Sequence, residues 1–172
     1  MAQAELNDGR KLCAVNDLSI GPRSHISARY LLESGTASEV QSFSWVIVST
    51  GLGSTSWLKC ILAGAASLNR LRQTVFGGRP PPKKTDQKED DGRFSWAADY
   101  LCFSVREPFS SRTSETKLVS GRMDAKSPLV ITSLMPAHGV TFSDGLENDF
   151  LEFNSGHKAS ITVADKKGCL VV

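Results

Sequence analysis

No stretch of this 172-residue sequence supplies the roughly 18 consecutive apolar residues needed to cross a bilayer. The first residues, Met1-Ala-Gln-Ala-Glu-Leu-Asn-Asp8, lack both the charged start and the apolar run of a signal peptide. A cytoplasmic protein without a membrane partner is therefore expected. The four cysteines, Cys13, Cys60, Cys102 and Cys169, are widely spaced and form neither a CxxC nor a Cys/His pair. This argues against a zinc site and favours buried small hydrophobes in a reducing compartment. Twenty basic residues against 18 acidic ones give a net charge of +2, too balanced to suggest a nucleic-acid partner. The three histidines, His25, His138 and His157, have no Ser or Cys partner in a recognisable signature. His138, in Pro136-Ala-His-Gly139, reads better as a loop histidine than as a catalytic one.

What is present is mostly strand-like. Residues 12–20 and 26–33 read as strands on either side of a turn at Gly21-Pro22-Arg23-Ser24, and Phe43–Val48 reads as a third strand, apolar enough to be buried on both faces. From Ser54 to about Gln73 the pattern turns helical. Leu58, Ile61, Leu62, Ala65 and Leu68 recur at three- and four-residue spacing, Ser54 or Thr55 is placed to cap the start, and Arg70 and Arg72 suit the end. Gly77–Gly92 has no aliphatic or aromatic residue and mixes lysines with four acids, so a solvated surface loop is expected. Short strands follow at Tyr100–Val105, Leu129–Leu134, Phe150–Phe153 and His157–Val163. Asp165-Lys-Lys-Gly168 then turns into a last strand, Cys169–Val172. The expected architecture is one mainly β domain over residues 1–172, two packed sheets in a sandwich-like arrangement with a single helix after a Gly/Ser/Thr loop.

That loop carries the strongest chemical signal. The β-branched run Val46-Ile-Val48 leads into Ser49-Thr-Gly-Leu-Gly-Ser-Thr-Ser-Trp57 and then into the helix. A strand that turns through Gly, Ser and Thr into a helix start leaves backbone N–H groups directed at one place, which suits an anion or nucleotide. It is not a Walker loop, because no Lys-Ser/Thr follows the glycines. An ordinary strand–turn–helix connection stands equally open. Asn16-Asp17 offers an amide for a base or amide edge and a carboxylate for a ribose hydroxyl. An Asx-type turn explains the same pair. Arg106, at the end of a strand, is either a phosphate contact or a surface ion pair.

Taken together and in order, the segments Ala14-Val-Asn-Asp-Leu-Ser-Ile-Gly21, Ser49–Trp57, Cys102-Phe-Ser-Val-Arg-Glu-Pro108 and Phe153-Asn-Ser-Gly156 resemble the ATP-NAD kinase family, in its divergent, mitochondrial-type branch. The resemblance implies the fold of that family's C-terminal, NAD-binding domain. It implies that Asn16, Asp17, Gly53, Ser54, Thr55, Ser56 and Trp57 hold NAD, with Ser44 and Arg106 as further candidates. Gly51-Leu52 replaces the family's Pro-Thr, Trp57 its Tyr, and Ser44 an Asp that reaches the substrate. The implied reaction moves the γ-phosphoryl group of ATP, taken with Mg2+, to the 2′-hydroxyl of NAD and yields NADP. The implied base is the Asp of a Gly-Gly-Asp-Gly motif on an N-terminal α/β domain. That motif is absent here, so no catalytic residue is expected in this chain, and no metal ligands. The chain alone is expected to bind dinucleotide weakly without phosphorylating it, as part of a homo-oligomer. A catalytically incomplete regulatory module is the alternative, and a lipid or sugar kinase is disfavoured by Asn16-Asp17 together with the Ser54–Trp57 loop.

Overall fold

Twelve strands, a short 3-10 turn and one helix make up the computed structural model, which describes residues 1–77, 92–107 and 116–168. The chain opens with β1 (Ala2–Leu6), where Ala2, Ala4 and Leu6 point inward and Gln3 and Glu5 outward, as a strand with one covered face requires. β2 (Lys11–Ala14), β3 (Asp17–Pro22), β4 (Ala28–Ser34), β5 (Ala37–Phe43) and β6 (Val46–Ser49) follow. After the 3-10 turn Gly53–Thr55 and helix α1 (Trp57–Phe76) come β7 (Tyr100–Val105), β8 (Ser120–Asp124), β9 (Leu129–Ser133), β10 (Gly139–Ser143), β11 (Phe150–Glu152) and β12 (Lys158–Val163). They form two six-stranded sheets, with orders β2-β1-β12-β9-β4-β5 and β11-β10-β3-β6-β7-β8. Every strand pairing is antiparallel.

One core lies between the sheets. Tyr30, Leu32, Ile131 and Ile161 from the first meet Leu18, Ile20, Val46, Val48, Leu101, Phe103 and Met123 from the second in a single buried cluster. Alternation along β3 and β6 then fixes what lies on the far side of the second sheet. Asp17 and Ser19 sit there beside their cross-strand partners Ser49 and Ile47. Helix α1 and the 3-10 turn lie over part of that face, and Ile47 is fully buried outside the main core.

The expected class is right: mainly β, two sheets, one helix after the loop. Several boundaries differ. The strand expected over 12–20 is broken at Val15-Asn16, where β2 of one sheet hands over to β3 of the other. Gly21-Pro22 belongs to β3 rather than to a turn, because Pro22 pairs with Gly139 at the strand end. The run 43–48 is likewise split, since Phe43 ends β5 in the first sheet and Val46 begins β6 in the second, with Ser44-Trp45 crossing between them. Neither Ser54 nor Thr55 caps the helix. Ser56 holds the N-cap position without a side-chain cap bond, and the helix runs past Gln73 to Phe76, where Gly77 stops it in the left-handed conformation (φ +66°).

The helix face also departs from expectation. Leu58 is buried, but Leu62, Leu68, Leu71 and Val75 are exposed, Leu68 by 68%. Cys60 is exposed and Cys13 and Cys102 are half-buried, so they are not the buried hydrophobes anticipated. The loop expected at Gly77–Gly92 lies almost wholly outside the described residues, and so does the last strand, Cys169–Val172.

Candidate functional site

The two motif segments meet. The bend Val15–Asp17, between β2 and β3, sits directly against the loop after β6. Thr50 is the hinge: its N–H donates to the Asn16 carbonyl at 2.9 Å and its hydroxyl to the Val15 carbonyl at 2.6 Å. Gly53 packs so closely on this bend that an added Cβ would collide with the Asn16 carbonyl oxygen and lie 2.7 Å from Asp17 Oδ1. Only glycine permits that approach. Gly51 is packed in the same way against the backbone of Ser95-Trp96.

A third segment clamps the bend from the other side. Asp144, in the β10–β11 turn with φ +50°, accepts the N–H groups of Val15 (2.9 Å), Asn16 (2.6 Å) and Asp17 (3.2 Å). Its own N–H donates to the Asp17 carbonyl at 2.9 Å. Nothing in the sequence reading singled out Asp144; the Asp144-Gly145 pair was a legible turn signal, but not a sign of what the carboxylate holds.

With the backbone pinned, two side-chain functions are left over. The Asn16 amide is half-exposed and makes no hydrogen bond among the described residues. Asp17 is only 6% exposed. Its Oδ2 accepts from Ser56 Oγ at 3.0 Å, while Oδ1 has no partner; the Ser49 hydroxyl beside the carboxylate donates to the Thr50 carbonyl at 3.3 Å. Burial pushes the Asp17 carboxyl above the usual carboxylate range; the nearby Ser49 and Ser56 hydroxyls offset this in part, and the Asp144 carboxylate adds to it.

The loop meets the sequence expectation of free N–H groups in part. The N–H groups of Thr50, Gly53, Ser54, Thr55 and Ser56 all bond within the protein. Ser54 is buried, its hydroxyl donating to the Gly51 carbonyl at 2.6 Å and accepting the Phe94 N–H at 3.3 Å. Thr55 is exposed and its hydroxyl returns to the Leu52 carbonyl. At the start of α1, by contrast, the N–H groups of Trp57, Leu58 and Lys59 have no hydrogen bond among the described residues, so the loop pair offers a ligand side chains and a helix start.

Trp57 and Arg106 are brought together by a neighbouring cavity of about 740 Å3 that both line, together with Ser19. Such a volume suits a small molecule, for which sites run to roughly 300–1,000 Å3. Ser44 does not line it but donates to the Arg106 carbonyl at 3.4 Å, and Arg106 N–H donates to the Trp45 carbonyl. The other aromatic residues of this cavity, Trp45, Phe142 and Phe150, are not among the candidate site residues of the sequence. His138 lies in the β9–β10 connection with φ +62°, away from the Asn16-Asp17 bend, as the loop reading had it. Among the described residues no group of three or more His, Cys, Asp or Glu side chains could hold a metal ion, and no helix is long and apolar enough to cross a membrane.

A two-sheet β domain whose strand-crossing bend meets a Gly/Ser/Thr loop is the class that these observations define. Solved structures share this fold. An NAD kinase from Archaeoglobus fulgidus in complex with ATP superposes with a TM-score of 0.56 at 11% identity, over 96% of this chain and 51% of that one. A yeast NADH kinase complexed with NADH gives 0.58 at 14% identity, over 94% of this chain and 39% of that one. The chain thus spans 51% and 39% of the length of these neighbours. No protein-family model and no curated protein matches it by sequence. The fold is that of the NAD kinase C-terminal domain; what the site does has to be argued from its residues.

Proposed function

We propose that this chain is the dinucleotide-binding half of an NAD kinase-like phosphotransferase. The observation that carries the reading is the pair of unused groups at the loop contact. The Asn16 amide has both donor and acceptor free, and Asp17 Oδ1 is buried without a partner beside it. An amide or purine edge satisfies the first, and a ribose hydroxyl the second once the covering loop gives way, since Oδ1 is closed to solvent in this structure. Ser56 fixes the orientation of Asp17, and Trp57, 46% exposed, offers an indole face next to them.

In the reaction so proposed the 2′-hydroxyl of the bound NAD attacks the γ-phosphorus of ATP, the bond to the β-phosphate oxygen breaks, and ADP, NADP and a proton leave. Mg2+ accompanies the ATP. No described cluster of acidic residues fits that ion, so no step is assigned to it within this chain. The residues named here bind and orient the acceptor. The base and the donor site belong to chain beyond these residues, and a homo-oligomer in which a neighbour completes the site forms part of the proposal.

Calorimetric titration of NAD into the chain, beside an Asn16→Ala variant, tests it. Binding by the first that is lost in the second supports the reading. Equal binding by both would sink it. Purified chain with NAD and Mg-ATP is expected to show no turnover.

A further inference from the structure

The cavity beside the loop has a built interior that the sequence motifs did not indicate. On the outer face of the second sheet, Phe150, Phe142 and Ser19 are cross-strand neighbours in one row, with small Ser19 between aromatic and aliphatic side chains. Trp45 stacks on Phe142 at 5.8 Å between ring centroids, and Phe142 contacts Phe150 at 5.8 Å. Arg23 lies over the Phe150 ring, its Cζ 4.1 Å from the centroid. All of these residues line the same cavity, and so does Arg106.

Strand direction places the charges. β3 and β7 both run antiparallel to β6, so their C-terminal ends lie at the same end of the sheet, where β6 begins. Arg23 just after β3, Arg106 just after β7 and Trp45 just before β6 therefore emerge together. Asp17 starts β3 at the other end. Five steps of about 3.3 Å along β3 separate the two ends by roughly 16 Å. One end carries an amide and a carboxylate, the other two guanidinium groups near an indole, with Arg106 3.6 Å from the exposed Glu107 carboxylate and Glu147 also lining the cavity.

We infer that the arginine end is a nucleotide subsite: it takes an aromatic base against Trp45 and the phosphate attached to it between Arg23 and Arg106. Guanidinium groups match phosphate oxygens in pairs, and an indole beside them supplies the stacking surface that a lone anion site does not need. Arg23 is held ready by its ring contact with Phe150. The inference builds on the dinucleotide reading by adding the residues that would receive the far nucleotide. The same chemistry also fits a separate nucleoside phosphate, and the test separates the two.

AMP and NAD are titrated by calorimetry into the whole chain and into Arg23→Gln, Arg106→Gln, Trp45→Leu and Asn16→Ala variants, with thermal melts to confirm folding. Arg23 is exposed, so its substitution leaves the sheet intact. The expected result is that AMP binds the wild type and that Arg23→Gln and Arg106→Gln each weaken it about tenfold, as loss of one charge-assisted contact does. NAD weakened by the arginine variants as well as by Asn16→Ala places one dinucleotide across both ends. NAD indifferent to the arginines, with AMP sensitive to them, assigns the subsite to a separate nucleotide. Absence of AMP binding, or AMP binding indifferent to both arginines, overturns the inference, even if NAD binding and its loss in Asn16→Ala leave the dinucleotide reading standing. Sensitive AMP binding without any NAD binding has the opposite meaning: the cleft stands and the dinucleotide reading falls.

Discussion

The carboxylate of Asp144 accepts the backbone N–H of Asn16 at 2.6 Å, across 128 residues of chain, and takes the N–H groups on either side of it as well. A turn on one hairpin therefore sets the conformation of a bend on another. Asp144→Ala leaves these donors without an acceptor, and the expected destabilisation is about 1–3 kcal/mol. Urea unfolding measures it. Asp144→Asn keeps one acceptor oxygen and tolerates φ +50°, so it should recover part of the loss. If both variants match the wild type in stability and NAD affinity, Asp144 does not hold the bend.

Gly53 separates site geometry from global stability. In Gly53→Ala the new methyl collides with the Asn16 carbonyl and crowds Asp17 Oδ1, and backbone on both sides has to give. A cost of about 1–3 kcal/mol is expected from such overpacking, with NAD affinity falling at least tenfold. Circular dichroism melts beside calorimetry would show the two effects. Unchanged affinity would mean that the contact between bend and loop is not part of the site.

Two carboxylates respond to acid with opposite sign. Glu39, buried on β5, accepts the N–H groups of Lys117 and Leu118 and the Gln41 amide; burial raises its carboxyl, but these bonds outweigh it and hold it below the usual range. Its stabilisation is complete above the ordinary value of 4.5 and is lost as pH falls through the lower folded value. Asp17, raised by burial, disfavours the folded state above its folded pKa, and this penalty is relieved as pH falls towards the ordinary 3.8. Asp17→Asn should therefore be more stable than wild type at neutral pH, with the gap closing in acid. Glu39→Gln should be less stable at neutral pH, with its deficit shrinking below 4.5. Denaturant midpoints measured across pH 3–8 would decide, and parallel curves for wild type and either variant would contradict the assignment for that residue.

Helix α1 gives a contrast between neighbours on one face. Leu58→Ala, at the single buried leucine of the face, should cost about 2–4 kcal/mol. Leu68→Ala, at a position 68% exposed, should change stability by less than about 0.5 kcal/mol. Similar losses at the two sites would mean that a surface covers the distal half of the helix in solution.

The same helix shows where sequence reading succeeds and where it stops. Spacing of Leu58, Ile61, Leu62, Ala65 and Leu68 reveals a helix, because period depends on the chain alone; which of these leucines is covered depends on what lies opposite, and no local pattern holds that information. Strands such as Tyr100–Val105 were legible from their apolar, β-branched and aromatic content, whereas Ser120–Asp124 and Ala37–Phe43 are too polar to stand out and are strands because neighbours pair with them. At the site, Asn16, Asp17, Gly53 and Ser56 could be picked out by motif, and they do meet. Ser54 was chosen by the same motif but turns inward, its hydroxyl used by the loop. Asp144, Arg23, Trp45 and Phe150 were not legible because they come from four different connections or strand ends that only the sheet order assembles.

Strand β1 lies between β2 and β12, and so pairs both with residues 11–14 and with residues 158–163. On a ribosome, the bend and the loop can meet once residue 57 has emerged, yet the Asp144 clamp arrives almost ninety positions later, and β1 has an open edge until β12 is made. Such long-range closures make for slow folding. The nascent chain would carry a half-formed site and an unpaired strand edge for most of its synthesis, a period in which a chaperone, or a ligand that grips the bend early, has the greatest influence on yield.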